Sequence, residues 1–133
     1  MKKEVSEWVK IAREDFQSAE YLYERSLFRM VCYHAQQSVE KILKAILTEY
    51  DIEFSRTHNI LDLRNAVEKI GQKMPLHDDE SIFLNSVYRS RYPIDLGLLP
   101  AGEPTIEDAK KALNIARKIQ DWFTETFGLK ENI

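Results

Sequence analysis

Glycine and proline are scarce in this 133-residue chain, four of each, and cysteine occurs once. So little Gly and Pro excludes collagen-like and low-complexity disordered proteins. A lone Cys32 excludes an internal disulfide and fits a reducing compartment. No apolar run approaches the roughly 18 residues that a membrane span requires. The segment Met1–Glu7 lacks the apolar stretch of a signal peptide, so a soluble, cytoplasmic protein without a membrane partner is expected. Period-two alternation is missing throughout, which leaves no strand signal. A basic surplus is missing as well. With 19 Lys and Arg against 22 Asp and Glu the net charge is −3, which argues against holding nucleic acid by bulk attraction.

What is present is helical periodicity on a chain long enough for one cored domain, 1–133. Val5, Trp8, Val9, Ala12, Phe16, Ala19, Leu22 and Tyr23 recur at steps of three and four and mark one face of a long first helix. Asp15 lies beside that face and is expected to pair with a neighbouring helix rather than to act catalytically. A second helix from about Phe28 to Tyr50 turns Val31, Cys32, Ala35, Val39, Ile42, Leu43, Ile46 and Leu47 inward. The short break at Ser26–Leu27 predicts an antiparallel hairpin. Thr57 or Asn59 can cap a shorter third helix that Gly71 stops. Asp78, Asp79 and Glu80 suit the start of a fourth, because acids complement the helix dipole. Pro93 ends that helix near 89–91. Residues 93–104 form the only long irregular stretch. Thr105 with Asp108 reads as a capping box for a fifth helix, whose stripe runs from Ala109 to Phe127 before Gly128. The expected fold is all-α, an up-and-down four-helix bundle with an additional short helix, five helices in all.

The chemistry open to such a chain is narrow. His34, His58 and His77 fall on three separate elements without metal-ligand spacing, so no metal site and no cofactor are expected. Walker and Rossmann glycine patterns are missing, and Cys32 sits on an apolar helix face where a thiol packs inertly. Between Pro75 and Asp108 seven acids face only Arg89 and Arg91. Those arginines read either as local counter-charges or as a focused anion site. Metal-independent attack on RNA remains, since it needs only an imidazole and a cation. Arg29 and His34 stand five apart, but five residues of helix turn through roughly 140° and would point the two side chains apart.

The second helix carries His34-Ala35-Gln36-Gln37 ahead of its apolar stripe and continues through Glu40-Lys41 to Lys44-Ala45. Together with Thr57-His58, Arg91-Tyr92-Pro93 and the alanine-rich last helix, this order of segments resembles the HEPN family. The resemblance implies a helical bundle, commonly a homodimer, with a minimal nucleotidyltransferase as partner in toxin–antitoxin or defence pairs. It also implies nucleotide or RNA binding, which we place at Arg89, Arg91 and Tyr92. Members that cut RNA carry an Arg followed four to six residues later by His. Arg91 fits the arginine, but no histidine follows it, so ribonuclease activity is expected to be weakened or lost. An active metal-independent ribonuclease toxin would have to draw on Arg91 with His34 or His58. A homodimeric interaction module without ligand is the third reading. Asp15, His34, Gln36 and Gln37 are expected to form a polar network that fixes helix register or receives a ligand.

Overall fold

The structure is a computed structural model that describes residues 2–89 and 103–128, and all structural statements below concern those residues. It contains five helices and, among the described residues, no strand: α1 (Lys3–Glu24), α2 (Phe28–Glu49), α3 (Ile60–Lys69), α4 (Asp78–Arg89) and α5 (Ile106–Phe127). The all-α bundle expected from periodicity is the one observed, with α3 as the short extra helix.

The two long N-terminal helices end without Gly or Pro. After α1 the amide of Leu27 returns to the carbonyl of Leu22 and that of Ser26 to Tyr23. After α2 Ile52 and Asp51 repeat the pattern on Leu47 and Thr48. Both are Schellman closures, and each needs a left-handed residue, here Ser26 at φ 59° and Asp51 at φ 57°. The other helix ends follow commoner chemistry. Asn59, not Thr57, caps α3 by accepting from the Asp62 amide at 3.2 Å. Gly71, at φ 92°, follows its last turn. Thr105 and Asp108 form the full reciprocal capping box of α5, and Gly128 closes it.

α2 is the central helix. It contacts α1 along most of its length and also meets α3, α4 and α5. Its residues are buried without a break over Ala35–Glu40 and again over Ile42–Leu47, so it is enclosed on all sides rather than along one stripe. One contiguous apolar core draws on every helix, with Val9 and Ala12 of α1, Ile42 and Leu43 of α2, Val67 of α3, Leu84 of α4 and Ile119 and Phe123 of α5. Fully burying such side chains contributes roughly 1.5–3 kcal/mol each. Ser38, enclosed with them, is satisfied: it donates to the Ala12 carbonyl at 2.8 Å and accepts from Gln120 at 2.9 Å, joining α1, α2 and α5. No helix of the described residues is long and apolar enough to cross a membrane.

Candidate functional site

The histidines of α2 and of the α2–α3 connection come to one region of the bundle, at the end where α4 stops. Local geometry explains it. Asn85 of α4 accepts from the Ile60 amide at 2.8 Å and donates to the Asn59 side chain at 3.0 Å, which ties the start of α3 to α4. Tyr88 lies three residues further along the same face of α4 and meets the ring of His58, the residue before Asn59, at 4.9 Å between centroids. Tyr88 also stacks on Tyr33 of α2 at 5.9 Å, and Tyr33 meets His34 edge-on at 5.0 Å. The result is a row of four rings, His34–Tyr33–Tyr88–His58, with a histidine at each end.

Each histidine is backed by a carboxylate on its Nδ1 atom. Asp15 of α1 lies 2.9 Å from His34, a pair that is about four-fifths buried. Glu40 of α2 lies 2.9 Å from His58. The second pair is asymmetric: the His58 side chain is 54% exposed, whereas that of Glu40 is 1% exposed. Glu40 is crowded with donors. Lys44 approaches Oε2 at 2.9 Å and Lys41 at 3.4 Å, while Gln36 reaches Oε1 at 3.3 Å and Gln37 at 3.5 Å. Burial pushes the Glu40 carboxyl up, but the Lys44 hydrogen bond, the Lys41 charge and the His58 bond outweigh it and hold the group below its ordinary value of 4.5. Glu40 is therefore an ionised, accept-only group at neutral pH. Lys44, itself buried, rests 5.7 Å from the Trp8 ring and 5.9 Å from that of Phe54.

Asp15, His34, Gln36 and Gln37, expected as one network, fall into two groups. His34 and Gln36 are two residues apart on a helix and face different neighbours. His34 pairs with Asp15, whereas Gln36 gathers with Glu40, accepts from Gln37 at 2.8 Å and donates to the His58 carbonyl at 3.1 Å. Arg29 does not meet His34; it pairs with Glu103 at 2.9 Å. Of the proposed ligand-binding residues, Arg91 and Tyr92 lie outside the described residues, as does the side chain of Arg89; the backbone of Arg89 is the last residue of α4, one past Tyr88. Glu40 and Tyr88 were not singled out as site residues by sequence reasoning. The one available signal for Glu40 was the Gln36-Gln37 pair one turn before it.

Other chemistry is limited. Burial pushes the Cys32 thiol up to about 12, with the Asp108 charge adding to the effect, which disfavours the thiolate that a nucleophile needs. No group of three or more His, Cys, Asp or Glu side chains is placed to hold a metal ion among the described residues. The clefts between α1 and α5 and between α4 and α5 are lined by Arg13, Gln120 and Thr124 and by Lys110, Lys111 and Lys118 respectively, and no histidine borders either. Among the described residues the row of rings is the distinctive feature.

These observations define a class: a five-helix protein with two carboxylate-backed imidazoles at the end of its fourth helix. The family model described as the HEPN domain matches residues 5–126, and the chain belongs to the HEPN family. It is similar to a Methanocaldococcus jannaschii protein named "Putative toxin MJ1304", with 30% identity over 139 residues covering 93% of this chain and 91% of that one. Among solved structures, ST0689, described as an archaeal HEPN homologue, is 25% identical with a TM-score of 0.59 and covers 95% of this chain and 98% of its own. TT1696 from Thermus thermophilus shares the fold at a TM-score of 0.67 and 22% identity, covering 93% of this chain and 98% of that one.

Proposed function

We propose that this protein is the toxin-like HEPN member of a two-protein pair and that it binds RNA, or a nucleotide, at the His34–Tyr33–Tyr88–His58 end of the bundle. The observation that carries the reading is the convergence of both carboxylate-backed histidines on the face where α4 ends at Arg89. Similarity to the Methanocaldococcus jannaschii protein supports the toxin-like role. A minimal nucleotidyltransferase as partner follows from the family resemblance.

The parts suit a phosphodiester. His58 ends the ring row half exposed and offers an aromatic surface, on which base stacking contributes about 1–3 kcal/mol. A neutral imidazole accepts from a 2′-hydroxyl or a base N–H, and a protonated one donates to phosphate. Arg89 follows Tyr88 directly in sequence and Arg91 comes two residues later, and a guanidinium is suited to bidentate contact with phosphate. A focused site of this kind is consistent with a net charge of −3, which argues against reliance on a diffuse basic surface.

The test is fluorescence anisotropy with a short single-stranded RNA of mixed sequence. His58→Ala, Tyr88→Ala and Arg91→Ala should each weaken binding by roughly tenfold or more, the loss of one stacking or charge-assisted contact. Unchanged affinity in all three folded variants would sink the site.

The two imidazoles favour a second reading, metal-independent cleavage. One imidazole would take the 2′-hydroxyl proton as the 2′-oxygen attacks phosphorus. The bond from phosphorus to the 5′-oxygen would break, and the other imidazole, protonated, would supply the leaving oxygen with its proton. Cleavage should then persist in excess EDTA and vanish in His58→Ala or His34→Ala. If both variants cut like the wild type, the chemistry lies elsewhere.

A further inference from the structure

We infer that Glu40 is a positioning residue that locks the neutral His58 ring with its proton on Nδ1 and so presents Nε2, as an acceptor, to the bound ligand. An ionised carboxylate only accepts hydrogen bonds, so the 2.9 Å contact with His58 Nδ1 requires that nitrogen to donate. Which imidazole nitrogen carries the proton is set by the hydrogen bond the other one lacks or makes. The two nitrogens of the ring point well apart, so with Nδ1 directed at a buried carboxylate, Nε2 is directed away from it. The exposures agree, 54% for the His58 side chain against 1% for that of Glu40.

The lock is braced on both partners. Glu40 cannot swing, because Lys44 at 2.9 Å and Lys41 at 3.4 Å hold its second oxygen. His58 cannot slide, because Gln36 holds its carbonyl at 3.1 Å while the same amide nitrogen reaches Glu40 at 3.3 Å. Tyr88 fixes the plane of the ring by stacking at 4.9 Å. A residue that served only to neutralise Lys44 would need none of the contacts to His58. Glu40 and Tyr88, on two other elements, converge instead on one imidazole, while Gln36 holds the backbone that carries it.

That the ligand is RNA rests on the function proposed above; the proton position does not. The experiment is therefore nitrogen-15 NMR of the full chain with labelled histidine, where ring-nitrogen shifts report the tautomer directly. With only three histidines, single His→Gln variants assign the signals. Neutral His58 should be protonated on Nδ1 in the wild type. In Glu40→Met/Lys44→Met, which removes the acceptor without stranding the lysine, the proton should move largely to Nε2. Affinity for the short single-stranded RNA should fall roughly 10- to 100-fold in the same variant, by analogy with the loss of the carboxylate that orients a metal-bound imidazole. His58 protonated on Nε2 in the wild type, or still on Nδ1 in the double variant, would overturn the inference. A wild-type chain that fails to bind the RNA would instead refute the functional reading, with the tautomer result deciding the role of Glu40 regardless.

Discussion

The Glu40–Lys44 pair should show a strongly asymmetric stability cycle. Glu40→Met removes the acceptor of a lysine whose side chain is only 10% exposed, while Lys41, 15% exposed, loses a neighbouring charge as well. Stranding a buried charge costs about 3–5 kcal/mol. That is a large share of the 5–15 kcal/mol, roughly, by which a domain of this kind is stable. The melting temperature should fall by roughly 10–20 °C. Lys44→Met leaves Glu40 with Lys41 at 3.4 Å, His58 at 2.9 Å and the two glutamine amides, so its charge remains compensated. The thioether also suits the space against Trp8 and Phe54. That variant should lose only about 1–2 kcal/mol, the scale of one charge-assisted hydrogen bond. Glu40→Met/Lys44→Met should recover most of the first loss and end within about 2 kcal/mol of the wild type, because a buried pair exchanged for apolar groups of similar volume is often close to neutral. Urea unfolding of the four proteins measures all three quantities. A double variant destabilised by the sum of the singles, or a Glu40→Met loss below about 1 kcal/mol, would show that the pair is not energetically enclosed as its burial implies.

Acid should unfold the protein through its paired glutamates. The Glu40 and Glu80 carboxyls are both held below the ordinary 4.5; for Glu80, burial pushes up and is outweighed by the His77 amide and by Lys118. A folded value below the unfolded one adds stability that is complete above 4.5 and lost as pH falls through the folded value, so the urea midpoint should be level near neutrality and drop only below 4.5; a midpoint that rises on acidification would contradict this. Ser26 sits at φ 59° in the Schellman closure of α1, where glycine avoids the Cβ clash. Ser26→Gly should raise stability by about 0.5–1 kcal/mol in the same assay, and a loss would mean the serine side chain has a role its backbone does not reveal.

Helix existence was legible wherever apolar residues kept one face, as in α5, where Ala109, Ala112, Ala116, Ile119 and Phe123 are all buried. The capping box of Thr105 and Asp108 was equally readable, since both partners lie three residues apart. The ends of α1 and α2 were harder. Ser26 and Asp51 occupy conformations usually left to glycine, and nothing local marks them. The candidate site was legible only in part. His34, His58 and Asp15 could be named, but not their pairing, because Asp15 with His34 and Glu40 with His58 are contacts between elements. Glu40 was hidden for a further reason. Periodicity separates an inner from an outer face, and α2 has no outer face over Ala35–Glu40, so the apolar stripe gave no sign that Glu40 is enclosed. Tyr88 could not be paired in advance, because its partner His58 lies thirty residues earlier and is brought to it by Asn85.

The enclosure of α2 also sets which changes of length this chain can accept. One residue inserted in the middle of a helix rotates everything after it by about 100°. On a peripheral helix such a rotation can be absorbed by solvent. On α2 it would carry Glu40 and Lys44 into apolar surroundings and turn Ile42, Leu43 and Ile46 toward whatever had been polar. The connections 51–57 and 70–77 have no such constraint, because most of their side chains are exposed or half-buried. Over evolutionary time the spacing from His34 to Lys44 should behave as a fixed ruler, with insertions and deletions gathering between helices. A relative whose alignment required a gap inside that interval would be built around a different central helix, and its histidines should not be assumed to meet.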